Sequence, residues 1–275
     1  MDKARSSRRL KLGRRYVVVA LAVTCLLGVP RIFGAIKLSH AEALRIGKKV
    51  WQNECKGTVA GLTSWNAGEN FASLGIGHFI WYPKGMRGPF DESFPKLVNF
   101  ISARGAKLPN ILTGAGDIPC PWSSRAEFLR AQQAPEMKQL RQFLADTVDL
   151  QAEFLVTRLQ AALPKMLAEA APSARVKIEK NFERVASTSQ GCYALVDYVN
   201  FKGEGVLPTE RYNNQGWGLL QVLEEMRSDA PNAVDEFSRA AAAILKRRVE
   251  NSPPTRHEAR WLPGWINRVR SYSRG

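Results

Sequence analysis

The segment from Glu54 to Pro83, ECKGTVAGLTSWNAGENFASLGIGHFIWYP, constrains the fold of this chain more than any other. It begins at an acid that closes a helical pattern, passes through turn-forming glycines and then alternates small and apolar residues as far as Trp81. Gly75 and Gly77 fall inside that alternation. Glycine weakens a strand, so glycines there more often mark the close approach of a ligand or another backbone. The segment predicts a helix followed by a small hairpin that forms the wall of a cleft.

Glu54, followed at some distance by Ser73-Leu74-Gly75-Ile76-Gly77-His78, resembles the small lobe of the phage-type lysozymes, or endolysins. In that family a catalytic Glu at a helix end precedes a Thr-Ile-Gly-x-Gly-His strand. The resemblance implies a mostly helical α+β fold, with a small β-hairpin lobe and a larger helical lobe. It places Glu54 on the catalytic acid, Ser73 on the hydroxyl residue that helps to position the attacking water, and His78 on the histidine that ends the motif.

The chain departs from the family at the second carboxylate. The family has an Asp six positions before the hydroxyl residue, where this chain has Ala67, and the only acid between Glu54 and Ser73 is Glu69. If Glu69 activates water, the two carboxyls should lie about 6.5–9.5 Å apart, as in inverting glycosidases. If it takes no part, the sugar's own hydroxyl attacks, and the enzyme is a lytic transglycosylase that needs Glu54 alone.

Candidate substrate-binding residues accompany these catalytic ones. Trp65 and Asn66 are expected to stack on sugars or hydrogen-bond to them, and His78 either contacts the substrate or serves as a buried structural histidine. The apolar stretch Cys192–Glu204 resembles the central helix of the same lysozymes, which would turn Asn200 toward the sugar. The plain alternative is that Asn200 ends a helix before a C-terminal glycine.

The chemistry implied by the resemblance is cleavage of the glycan strand of peptidoglycan, as by a muramidase. Such cleavage needs a protonated carboxyl that donates a proton to the leaving glycosidic oxygen, and Glu54 is the candidate. A catalytically inactive lysozyme-like module that binds cell wall is the alternative from another class. A chitin- or chitosan-cleaving enzyme on the same fold is a third possibility.

Residues 1–37 combine a basic start with a short apolar run, which is typical of a secretory signal and leaves room for an uncleaved anchor. We therefore expect an exported protein, periplasmic or extracellular, that touches the inner membrane through this segment alone. The remainder, 38–275, should form one lysozyme-like catalytic domain with a helical insertion around 106–172. Caps are predicted at Ser39, Ser124 and Thr255, each followed by Glu three residues later.

The net charge is +15, and removing residues 1–43, which hold nine Lys/Arg and two acids, leaves +8. A basic exported domain is attracted to anionic cell-envelope polymers, and no recognised motif favours nucleic acid. We expect a monomer that acts on peptidoglycan glycan strands. After the leader, Cys55, Cys120 and Cys192 allow at most one disulfide, and their spacing with the three histidines suggests no metal site. No cofactor is implied.

Overall fold

The computed structural model describes residues 36, 38–88, 90–113 and 118–274. The predicted signal or anchor segment therefore lies outside the described residues, apart from Ile36. One compact unit spans Ala35–Gly275. A search of the described ranges finds no helix whose length and apolar character would let it cross a membrane.

The described chain is 65% helical, with ten α-helices and two small antiparallel sheets, so the predicted mostly helical α+β class is confirmed. The helices are α1 His40–Cys55, α2 Phe94–Ser102, α3 Arg125–Arg130, α4 Pro135–Asp146, α5 Val148–Glu169, α6 Pro172–Ala186, α7 Ser189–Lys202, α8 Leu219–Glu225, α9 Ala233–Asn251 and α10 Leu262–Arg270. The strands are β1 Thr63–Ser64, β2 Ala72–Leu74 and β3 Phe79–Trp81 in one sheet, and β4 Arg211–Tyr212 and β5 Gln215–Gly216 in the other.

The predicted hairpin is β2–β3, and β1 adds a third strand on its other side. Ser73 lies in the middle strand, opposite Ser64 on β1 and Ile80 on β3. Gly75 and Gly77 lie in the turn between β2 and β3, not inside a strand as the alternation suggested. Gly75 adopts φ +69°, a left-handed conformation that suits glycine, and this ends β2.

Local signals in the sequence set several helix ends. The Ser39 hydroxyl accepts from the backbone of Glu42, whose side chain accepts from Ser39 in return, so the predicted capping box is confirmed. The Ser124 hydroxyl accepts from the backbone of Glu127 at the start of α3. The capping box predicted at Thr255 is wrong. Glu258 is buried and bonded to Arg248 instead, and α10 begins further along the chain.

The core forms where α5 and α7 pack against α1. Gly47 on α1 allows this close approach, because a Cβ built there would lie 2.7 Å from a side-chain carbon of Val148 on α5. The last part of the tract 106–172 thus packs directly on the helix that carries Glu54. The hairpin of β2 and β3 meets α5 through Gln151, whose side-chain oxygen accepts from the backbone N–H of Ile76 at 2.9 Å.

Candidate active site

Glu54 is the next-to-last residue of α1, and its side chain is 15% exposed. The helix stops there because Lys56 and Gly57 adopt left-handed backbone conformations, with φ of 56° and 67°. One carboxylate oxygen, Oε1, accepts a hydrogen bond from Nη2 of Arg268 on α10. The other, Oε2, lies 3.7 Å from Nδ1 of His78 in the β2–β3 turn. The helix end, the turn and the C-terminal helix therefore converge on this carboxyl.

Arg268 is held in place by a second carboxylate, that of Asp197 on α7. Its Nε and Nη2 atoms donate to the two Asp197 oxygens, each at 2.8 Å. Asp197 is fully buried and also accepts from the Tyr272 hydroxyl at 2.6 Å and from Nδ2 of Asn53 at 3.1 Å. Four donated hydrogen bonds hold the Asp197 side chain in place.

The guanidinium of Arg268 remains charged in this setting. Burial alone would lower its pKa, but the hydrogen bonds to Asp197 and the nearby charge of Glu54 raise it instead. Two carboxyls thus share one cation. Because Asp197 takes the bidentate contact and is fully enclosed, Glu54 is the carboxyl of the two that keeps an exposed fraction for contact with a ligand.

Cys55, His78 and Glu54 are aligned in the order thiol, imidazole and carboxylate. The Cys55 sulfur lies 3.6 Å from Nε2 of His78. This order resembles the triad of a cysteine hydrolase, but the thiol is 4% exposed and burial raises its pKa to about 12. A buried, protonated thiol is a poor nucleophile, so Cys55 is a structural residue here.

A cleft of about 240 Å³ has His78, and not Glu54, among its lining residues. Asn200 on α7 lines it together with His78, and the substrate-facing role of both residues stays a prediction. Asp91, Arg158 and Glu204 add charged groups to the same walls. The cleft therefore offers an amide, an imidazole and charges of both signs for hydrogen bonds with a polar ligand.

The remaining predicted site residues lie in and around the loop between β1 and β2. The Glu69 carboxylate accepts from Nδ2 of Asn66 at 3.2 Å, and its backbone carbonyl accepts from the Trp65 indole at 2.8 Å. Trp65 is 5% exposed and packs against Phe128, which leaves little of its ring free to stack on a sugar. Among the described contacts, none joins Glu69 to Glu54.

Ser73 is buried in the middle strand. The role of Ser73 in positioning water stays a prediction, and so does the role of Glu69 in activating it. The described cysteines Cys55, Cys120 and Cys192 are all free thiols, although one disulfide was possible from the sequence. Within the described ranges, no group of three or more His, Cys, Asp or Glu side chains is placed to hold a metal ion.

Sequence reasoning missed Arg268 and Asp197. Arg268 lies 214 positions after Glu54 and carries no local motif, so only the fold brings the two together. Asp197 did leave a signal, because it is the single acid in the apolar stretch Cys192–Val199. An acid buried in such a helix almost always has a partner, and this one predicts a buried cation nearby.

Comparisons with protein families, with curated proteins and with solved structures found no match for this chain.

Proposed function

We propose that the protein is a glycosidase that cleaves the glycan strand of peptidoglycan as lysozymes do, with Glu54 as general acid. One observation carries the proposal: Glu54 sits at a helix end and lies 3.7 Å from His78 of the β2–β3 turn, which lines the cleft together with Asn200. Proton donation to a glycosidic oxygen needs a carboxyl in such a sheltered, partly accessible place. Peptidoglycan is the proposed substrate because the motif Ser73–His78 resembles that of the phage-type lysozymes.

The Arg268–Asp197 pair supports the same role for Glu54. Donating the proton turns Glu54 into a carboxylate, and Arg268 already lies against it to stabilise that charge. Asp197 prevents Arg268 from turning away, because it binds the guanidinium through two atoms. The network thus provides a fixed cation at the point where negative charge develops.

The second chemical step has two routes. In the first, Glu69 or Ser73 activates or positions a water that attacks the sugar. In the second, the sugar's own hydroxyl attacks, and Glu54 is the one carboxyl required. The Glu69 carboxylate accepts a hydrogen bond from Asn66 of its own loop, and this contact does not distinguish the two routes. The two routes differ in their products.

We further propose that the protein acts in the cell envelope. The net charge, +15 for the whole sequence and +8 without residues 1–43, favours anionic envelope polymers, and the basic and apolar start of the chain suits export.

Mass spectrometry of fragments released from purified peptidoglycan tests the chemistry. The wild-type chain is compared with Glu54→Gln, which keeps a side-chain oxygen for Arg268, and with Glu69→Gln. We expect Glu54→Gln to release no fragments. Reducing-end products that also disappear in Glu69→Gln would assign the water to Glu69. Anhydro-sugar products that persist in Glu69→Gln would identify a transglycosylase.

No fragments from a folded wild-type chain would overturn the proposal of peptidoglycan cleavage. Binding to peptidoglycan without cleavage would then favour the inactive cell-wall module. Cleavage of chitin oligosaccharides alone would change the proposed substrate from peptidoglycan to chitin and leave Glu54 as the proposed general acid.

A further inference from the structure

Three aromatic side chains, Phe201, Trp265 and Trp261, form a strip that leads away from the Glu54 network. The ring centroids of Phe201 and Trp265 lie 6.3 Å apart, and those of Trp265 and Trp261 lie 6.1 Å apart. At the inner end, the guanidinium of Arg268 lies 4.2 Å from the centroid of the Phe201 ring. The same guanidinium bonds Glu54, so the aromatic strip is continuous with the candidate active site.

The outer end of the aromatic strip faces solvent. Trp261 is 41% exposed, and the guanidinium of Arg260 lies 4.4 Å from the centroid of its ring. Single exposed apolar side chains are common on protein surfaces. This one differs because it continues a row of rings that begins beside the arginine bonded to Glu54, and a row of partly exposed aromatic rings is typical of a binding surface.

The middle of the aromatic strip is held rigidly. The Lys202 amine packs 3.3 Å from the centroid of the Trp265 ring. The Arg248 guanidinium lies 5.0 Å from the same ring and 4.1 Å from that of Trp217. A ring fixed in this way loses little freedom when a ligand stacks on it, so the entropic cost of binding is small.

The charges along the aromatic strip are uneven. Two acids along it, Glu258 and Asp197, are buried and bonded to arginines. Arg260 is exposed beside Trp261, and the exposed Arg256 pairs with Glu258. The groups that reach solvent at this end are therefore positive, and they complement a ligand that carries carboxylates.

We propose that the aromatic strip is an extended binding track for the glycan strand, outside the cleft, on one side of the bond that Glu54 cleaves. Sugar rings present flat C–H faces that stack on Trp261 and Trp265, and Arg260 pairs with carboxylates carried by the strand. The identity of this ligand rests on the proposed function. The ligand is a glycan and not a nucleic acid because the track begins at the Arg268–Glu54 contact.

The test measures binding of the full chain to insoluble purified peptidoglycan, with Glu54→Gln as background so that nothing is cleaved. Adding Trp261→Ala should weaken binding about tenfold, the usual effect of truncating an aromatic anchor. Trp261→Phe should restore most of the affinity. Leu129→Ala is the matched control, because Leu129 is 45% exposed on α3, and it should bind like the background. Arg260→Ala should reduce the salt dependence of binding.

Unchanged binding by a folded Trp261→Ala chain would overturn the binding track. An equal loss of binding to double-stranded DNA would make the aromatic strip a general polyanion surface and overturn the glycan assignment. The two proposals are separable, since binding is measured without cleavage. If the wild type cleaves but Trp261 does not matter, only the track fails. If Trp261 matters and the wild type releases no fragments, only the cleavage fails.

Discussion

At the scale of single residues, the position of Glu54 in the last turn of α1 sets its chemistry. The exposed carbonyl groups at a helix C-terminus disfavour a negative charge there, and α1 has no basic residue in its last turn to offset them. The compensating cation is Arg268, from the other end of the described chain. Arg268 is shared, since it donates one hydrogen bond to Glu54 and two to Asp197.

Removing Asp197 should destabilise the fold strongly. Asp197→Ala leaves the largely buried Arg268 without its main partner, and breaking a buried ion pair from one side costs about 3–5 kcal/mol. Urea denaturation followed by circular dichroism measures this loss. Asp91→Ala is the control, because Asp91 is exposed and pairs with the exposed Lys96, and it should cost under about 1 kcal/mol. Equal losses for the two variants would contradict the network.

Lys202 should make stability depend on pH. Burial, followed by the charge of Arg248, lowers the pKa of Lys202 from 10.5 to about 6. Between these values the unfolded chain binds a proton that the folded chain does not, so the contribution of Lys202 to the free energy of unfolding rises with pH from about 6 to 10.5. Lys202→Met should flatten that rise, measured by urea denaturation at several pH values. The exposed Lys165→Met should leave it unchanged.

At the scale of elements, α5 holds the β2–β3 turn that carries His78. The buried Gln151 accepts from the backbone N–H of Ile76 and donates to the Leu144 carbonyl and the Thr147 hydroxyl. A Cβ built on Gly75 would come within 2.4 Å of the Gln151 oxygen, so the turn and the helix are fitted to each other. Gln151 is therefore one of the anchors that hold the turn carrying His78.

Gln151→Leu should lower the free energy of unfolding by about 1–3 kcal/mol, because it leaves the buried Ile76 N–H without an acceptor. Hydrogen exchange of the Ile76 amide should also become faster. Gln142→Leu on α4 is the control, since Gln142 is exposed and a surface change of this kind costs within about 0.5 kcal/mol. Unchanged exchange at Ile76 in Gln151→Leu would contradict the anchoring role.

Element boundaries were predictable where local chemistry decides them. The Ser39 box and the stop of α7 at Gly203, which adopts φ +89°, follow from residues within one turn. The box at Thr255 was wrong because Glu258 gains more from the buried contact with Arg248 than from capping. Helix α6 and the β4–β5 hairpin were not predicted, although Asn213 and Asn214 supply its positive-φ turn.

At the scale of the whole molecule, the candidate site joins parts of the chain that are far apart in sequence. Glu54 and His78 were predicted together because they lie within one motif. Arg268 and Asp197 were not, since a pair made by packing α7 against the C-terminal helix leaves no spacing pattern. The α+β class was expected because the segment from Glu54 to His78 resembles a known family, whereas the aromatic strip from Phe201 to Trp261 needed the tertiary fold.

The rate at which fragments leave purified peptidoglycan, compared between Glu54→Gln and Glu153→Gln, tests the role of Glu54 most directly. Glu153 is a matched control, because it is a partly exposed helical glutamate paired with Arg104. Loss of a general acid should slow Glu54→Gln by about 10²–10⁴-fold, and Glu153→Gln should release fragments at the wild-type rate. Equal rates for the two folded variants would contradict the assignment of Glu54 as the catalytic acid.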